Sequence, residues 1–332
     1  MYFYQKFGMP IHDSYSQQFI NHLDAFNTSE EPLSLYAPIS YILQIGGKRL
    51  RPILTLMAAD AYGKNAETAL PAALAIEVFH NFTLLHDDIM DAAPLRRGQA
   101  TVHHKWDVNT GILSGDAMLI LAYQQLDHYE GSLFKSLTTL LSKTALEVCE
   151  GQQYDMDFEK QSAVNTTAYL QMIQLKTAVL VGCALKMGAL VGGADPVQAD
   201  NMYTFGVDLG IAFQIQDDIL DAFGDPKTFG KQVGGDILQN KKTILYHQAM
   251  ALGTEKQQTA LEKWFQSKPE ETTQKIEAVK ALFQETAALE KSTALVKAYT
   301  ETAFEKLHNS GLGAPEQQLL QQFGKQLMGR TL

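Results

Sequence analysis

No proline interrupts the chain between Pro94 and Pro196, and there, as in most of the sequence, apolar residues return every three or four positions. That spacing turns one face of an α-helix inward, whereas the strict alternation of a half-buried strand is hard to find. The stretch from Ala72 to Leu85, just after Pro71, is rich in Ala, Leu and Phe without glycine or proline and reads as a helix buried on most sides. From Thr254 to Lys306, Glu, Lys and Gln surround spaced Leu, Ala, Val and Phe, the pattern of exposed amphipathic helices. Turn residues gather at Gly46-Gly47, Asp91–Ala100, Gly192–Asp195, Gly224–Gly235 and Asn309–Pro315. None of these is long or simple enough to be an interdomain linker. The expectation is a single all-α domain over 1–332 with ten or more helices.

Charge narrows the function. Lys and Arg total 27 against 37 Asp and Glu, a net charge of −10. That balance argues against a protein that coats nucleic acid through a broad basic surface, and leaves room for a local basic pocket. The only cysteines, Cys149 and Cys183, form neither a disulfide framework nor metal-ligand spacing, so a reducing, cytoplasmic setting is expected. The opening MYFYQKFGMP has no basic stretch followed by an apolar one, so no signal peptide is expected. The longest uncharged apolar run, Thr177 to Leu185, is closed by Lys176 and Lys186, which predicts no membrane span.

One segment occurs twice. Leu85-His86-Asp87-Asp88-Ile89-Met90-Asp91 is echoed by Ile215-Gln216-Asp217-Asp218-Ile219-Leu220-Asp221. On a helix Asp87 and Asp91 lie about 40° apart, one turn from each other, as do Asp217 and Asp221. His80 falls about 20° from Asp87, and Gln214 about 60° from Asp217. Two carboxylates at that spacing suit a hard cation such as Mg²⁺, which completes its octahedron with water and phosphate oxygens. A single pair would more often be a solvated acidic helix end. Here each pair follows a buried apolar turn and the arrangement is duplicated, which favours metal. Four such carboxylates facing one another would need cations between them.

Cations are supplied nearby. Lys48 and Arg51 stand at i, i+3 beside Gly46-Gly47; Arg96-Arg97-Gly98 follows the first motif. Lys176-Thr177 sits in an apolar context where an unpaired lysine would be costly, and Lys231 and Lys241 follow the second motif. Arg49 and Lys242 read as ordinary surface charges. The remainder fit two phosphate clamps, one bridged by metal and one built from Lys and Arg.

GGKRLRP, LLHDDIMD with RRG, KT, FQIQDDILD, GK and GGDI with NKKT occur in the order and approximate spacing of the trans-type polyprenyl diphosphate synthases, which the chain resembles from about Tyr41 to Thr243. The resemblance implies a helical bundle around a deep central cavity, usually homodimeric. It implies that Asp87, Asp91 and Asp217 bind three Mg²⁺ ions on an allylic diphosphate, supported by Asp88, Asp218 and Asp221. By the same resemblance Arg96, Lys176, Thr177, Gln214, Lys231 and Lys241 contact the allylic diphosphate (dimethylallyl, geranyl or farnesyl). Lys48, Arg51, His80 and Arg97 form a metal-free pocket for isopentenyl diphosphate. Ala100 departs from the proline frequent after RRG, and the Gly-Arg-Thr-Leu end carries less basic charge than in many relatives.

The implied reaction ionises the allylic C–O bond, adds the isopentenyl double bond to the cation and loses a proton, with the released pyrophosphate as its acceptor. Such a site needs dry apolar walls, and the stretch Gly224–Gly235 is a candidate lid. In this family an aromatic five residues before the first aspartate tends to floor the pocket. Phe82, with Thr83 beside it and no insertion in DDIMD, then points to a C20 product, with C15 close behind. Phe82 lies about 140° from Asp87 around the helix, so a packing role is the alternative. A longer-chain synthase remains compatible. A class I terpene cyclase or a non-catalytic partner subunit fits less well, because both acidic motifs are intact alongside the second clamp.

Overall fold

The structure, a computed structural model, describes residues 13–26, 31–161, 164–224, 233–267 and 272–329. Among them are sixteen α-helices and a single two-stranded hairpin, so the chain is all-α as expected. It divides into two compact units, Met1–Ser142 with Cys183–Asp200 and Lys143–Gly182 with Asn201–Leu332.

The first unit contains α1 (Asp13–Ala25), α2 (Leu33–Gln44), α3 (Leu50–Ala61) and α4 (Leu70–Met90). The hairpin β1 (Leu95–Arg96) and β2 (Gln99–Ala100) follows, then α5 (Val102–Lys105) and α6 (Val108–Gln124). The break expected at Asp91–Ala100 is thus partly paired: Leu95 stands opposite Ala100 and Arg96 opposite Gln99. Three helices, α7 (Gly131–Lys160), α9 (Val179–Gly192) and α10 (Pro196–Phe223), contribute residues to both units. The second unit holds α8 (Thr166–Ile173), a π-helical turn (Gln174–Ala178), α11 (Gly235–Leu238), α12 (Ile244–Leu252), α13 (Glu255–Gln266), α14 (Thr272–Glu285), α15 (Ala288–His308) and α16 (Ala314–Met328).

Local chemistry explains several helix starts. Proline occupies the first turn of α4 and α16, where its missing N–H removes no helical bond. Asp107 caps α6, its Oδ1 accepting the Thr110 N–H at 2.9 Å and its Oδ2 the Thr110 hydroxyl at 2.7 Å. Thr254 and Gln257 form a reciprocal capping box that opens α13.

Packing then fixes the element that carries the first motif. Every residue of α4 from Ala72 to Phe79 is buried, as the sequence predicted for this stretch. Each large apolar side chain there contributes roughly 1.5–3 kcal/mol through burial. Gly115 lets α6 come close, since a Cβ there would lie 2.2 Å from Nε2 of His86. In the second unit Ile173, Ile211, Ile215, Ile219, Ile244 and Phe283 join one apolar core. Two helical stretches, Ala66–Met90 and Thr166–Gly192, are long and apolar enough to cross a membrane by length and composition, but 67% of the most apolar window of each is buried in the protein. Counting only unbroken uncharged runs overlooked both.

Candidate active site

In the first unit, the acidic motif stands at the C-terminal end of α4. Asp87 is half-buried, Asp88 is buried, and Asp91 is exposed as the C-cap, its N–H donating to the Asp87 carbonyl at 2.9 Å. A helix C-terminus carries partial negative charge, so carboxylates gathered there are unfavourable without cations. Arg96 supplies one: its Nε donates to Asp88 Oδ2 at 2.7 Å, and its other end lies 3.6 Å from Asp87 Oδ2. Burial pushes the Asp88 carboxyl upward, opposed by the hydrogen bond and charge of Arg96.

The hairpin turn sends the next arginine elsewhere. Arg97 and Gly98 have φ of +52° and +77°, the paired left-handed conformation that suits a two-residue hairpin. The Arg97 guanidinium lies against Gly47, where a Cβ would come within 2.5 Å of it. Arg51 donates to Nε2 of His80 at 3.1 Å. A guanidinium cannot accept, so Nε2 is the acceptor and the ring proton resides on Nδ1. Burial above all, then the charges of Arg51, Arg97, Arg96 and Arg49, hold His80 well below the usual histidine range. His80 is therefore a neutral orienting group for Arg51, and the positive charge belongs to guanidiniums. Arg51 Nε is itself buried without a hydrogen-bond acceptor among the described residues, a donor left to be satisfied. Lys48 is exposed on the loop before α3.

The expectation for Arg49 fails. It is 8% exposed, and its guanidinium bridges the Glu77 carboxylate and the Leu43 carbonyl. Lys242, by contrast, stays at the surface, half-buried and donating to the carbonyl of exposed Gln161 at 2.7 Å.

In the second unit, the second motif lies near the end of α10. Asp218 is buried and accepts from the Tyr169 hydroxyl at 2.5 Å, Gln214 Nε2 at 2.9 Å and the Ile244 N–H at 3.4 Å. Burial first, then the charge of Asp236, pushes its carboxyl up to about 7 against those hydrogen bonds. Asp217 is half-buried. Asp221 accepts the Asp236 N–H at 2.8 Å, and its carbonyl accepts the Gly234 N–H at 2.6 Å, so it anchors the turn into α11.

Lys176 stands in the π-helical turn and pairs with Asp155 at 2.5 Å; Thr177 donates to Gln214 at 3.4 Å. Wide turns of this kind concentrate at functional positions. Gly151 of α7 faces it, with a built Cβ only 2.2 Å from the Lys176 nitrogen. Lys241 is exposed, and Lys231, with most of the expected lid, lies outside the described residues.

Phe82 shares a face of α4 with His86, ring centroids 4.8 Å apart, and with Phe79 at 5.6 Å; Thr83 bonds back to the His80 carbonyl at 2.8 Å. Sequence reasoning missed Glu77, Tyr169, Asp155 and Asp236. Glu77 had a readable signal: an acid inside an apolar helix needs a buried partner.

Among the described residues no three His, Cys, Asp or Glu side chains cluster closely enough to hold a metal by themselves. Each motif alone offers only carboxylates, and Mg²⁺ is the ion that binds through few of them and shares the rest of its shell with water and phosphate.

Residues 32–282 match the sequence profile of the polyprenyl synthetase family. A geranylgeranyl diphosphate synthase of Methanosarcina mazei is 38% identical over 301 residues, 90% of either chain. A crystal structure of a geranylgeranyl pyrophosphate synthase, 49% identical, covers 98% of this chain and 100% of its own with a TM-score of 0.93. A geranylgeranyl pyrophosphate synthase from Corynebacterium glutamicum, complexed with isoprenyl diphosphate and magnesium, is 25% identical with a TM-score of 0.83 over 97% and 99%.

Proposed function

Because the chain belongs to the polyprenyl synthetase family, we propose that it condenses isopentenyl diphosphate with an allylic diphosphate, releasing pyrophosphate and yielding a C20 product. The observation that carries this reading is the hairpin, whose consecutive arginines turn to different partners. Arg96 joins the carboxylates of α4, and Arg97 joins the group around Arg51 and His80.

Asp87 and Asp91, with Asp217, would hold Mg²⁺, three ions in number, for the allylic diphosphate. When bound, the ions neutralise charge on the departing pyrophosphate. Arg96, Lys176, Lys231 and Lys241 add positive charge to the same leaving group, while Thr177 and Gln214 donate to it. Asp88 and Asp218 act through their partners: Asp88 fixes Arg96, and Asp218 is fixed by Tyr169 and Gln214. Asp221 holds the turn that begins at Gly234.

Lys48, Arg51 and Arg97 grip isopentenyl diphosphate without metal, and neutral His80 keeps Arg51 in place. Ionisation of the allylic C–O bond, addition of the isopentenyl double bond and transfer of a proton to pyrophosphate complete the cycle. Relatives named for geranylgeranyl products support C20. The enzyme works as a homodimer in the cytoplasm, which light scattering of the purified protein and cell fractionation test.

Purified protein is incubated with Mg²⁺, isopentenyl diphosphate and each allylic primer, and products are sized by chromatography. A C20 product is expected; no turnover with any primer would favour a non-catalytic subunit.

A further inference from the structure

The pair Arg49–Glu77 takes no part in either anion clamp. Both side chains are nearly out of solvent, at 6% and 4% exposure. Arg49 has φ +49° and ψ +35°, left-handed backbone that an arginine adopts only under constraint. It is the residue immediately before α3, so its conformation sets where Gly47 and Lys48 lie relative to Arg51. The constraint is visible: the guanidinium is tied to the Leu43 carbonyl behind it and to Glu77 on α4. Glu77 is held in turn by Asn81 Nδ2 at 3.1 Å, one turn along the same helix. The tether thus ties α2 and α4 to the residue that opens α3; of the metal-free clamp, Lys48 precedes that residue directly, Arg51 lies on α3 and His80 on α4.

We propose that Arg49 and Glu77 are positioning residues for the isopentenyl diphosphate pocket, keeping Gly47 and Lys48 in register with Arg51 and Arg97. The proposal rests on the assignment of that pocket. Electrostatics alone predicts the opposite sign, because removing the Glu77 charge leaves a more positive pocket and tighter anion binding.

The test is steady-state kinetics with each substrate varied, alongside thermal denaturation. Glu77→Gln and Arg49→Met are expected to raise KM for isopentenyl diphosphate about tenfold, with KM for the allylic primer and kcat within about twofold. Each also leaves a buried charge uncompensated, lowering Tm by on the order of 5 °C. The double variant Arg49→Met/Glu77→Met removes both charges and is expected to recover most of that Tm while KM stays raised. Recovery of KM together with Tm, or a fall in KM for Glu77→Gln, overturns the positioning role. Arg51→Met separates the two levels. If it leaves KM for isopentenyl diphosphate unchanged, the pocket itself is misassigned and the proposal goes with it; if it raises KM while Glu77→Gln does not, only the positioning role falls.

Discussion

Gly151→Ala puts the placement of Lys176 to a quantitative test. Alanine at a helical position ordinarily stabilises by up to about 1 kcal/mol relative to glycine. Here the added Cβ would lie 2.2 Å from the Lys176 nitrogen, 2.6 Å from its Cα and 2.7 Å from the Leu175 carbonyl carbon. All three are backbone atoms, so no side chain can swing aside. Bringing the closest contact to an ordinary distance moves the π-helical turn by more than about 1 Å, and overpacking of this kind costs about 1–3 kcal/mol. The steric term wins. If Lys176 contacts the reacting diphosphate ester as proposed, a shift of about 1 Å in it reduces rate by on the order of a hundredfold. The expectation is a hundredfold loss in kcat/KM for the allylic primer, little change in KM for isopentenyl diphosphate, and a Tm lowered by a few degrees. Full activity with an unchanged or higher Tm would refute the close approach of α7 to Lys176.

Asp218 retains its proton to about pH 7 in the folded chain, whereas the unfolded chain releases it near pH 4. Its contribution to stability is therefore present at low pH and lost between those values, roughly 4 kcal/mol in all. Buried His247, lowered to about 4, and His80, also lowered, act in the opposite sense, destabilising the fold on acidification. In chelated protein the Tm advantage of Asp218→Asn over wild type should grow from about pH 5 to pH 7 and then level; an advantage that shrinks with pH contradicts the raised carboxyl. Tyr169→Phe removes one hydrogen bond to Asp218 but keeps the ring beside His247, 5.0 Å away, so stability falls by only about 1 kcal/mol. Its kcat should drop about tenfold and its Mg²⁺ requirement rise; wild-type magnesium dependence would detach Tyr169 from the acidic motif. Phe82→Ala should lengthen the product by at least one five-carbon unit on reversed-phase chromatography, and an unchanged length leaves Phe82 as packing between Phe79 and His86.

The helices and both acidic motifs were legible because each is a local pattern: three-to-four spacing for the one, i, i+4 carboxylates for the other. Lys176 was legible as a lysine in need of a partner, but Asp155 could not be named, because the partner comes from a different helix. Arg49 was misread for a similar reason. Its burial depends on the Leu43 carbonyl and on Glu77, 28 residues away. The π-helical turn was hidden too, since Gln174–Ala178 differs from ordinary helix only in how its backbone is wound. The two acidic motifs look equivalent in sequence, yet Asp91 is exposed at a helix end whereas Asp221 secures a turn. That asymmetry comes from the next described element along the chain, a hairpin after the first motif and α11 after the second.

One peptide link separates Arg96 from Arg97, so their α-carbons stand about 3.8 Å apart whatever else changes. If each arginine greets a different substrate, the covalent chain caps how far the two grips can drift apart, while Asp88 on one side and the close approach to Gly47 on the other settle where each charged head points. Hydrocarbon tails of any length can then be presented to the same alignment of reacting carbons. How long a primer is accepted becomes a matter for the far end alone, and altering it need not disturb the chemistry.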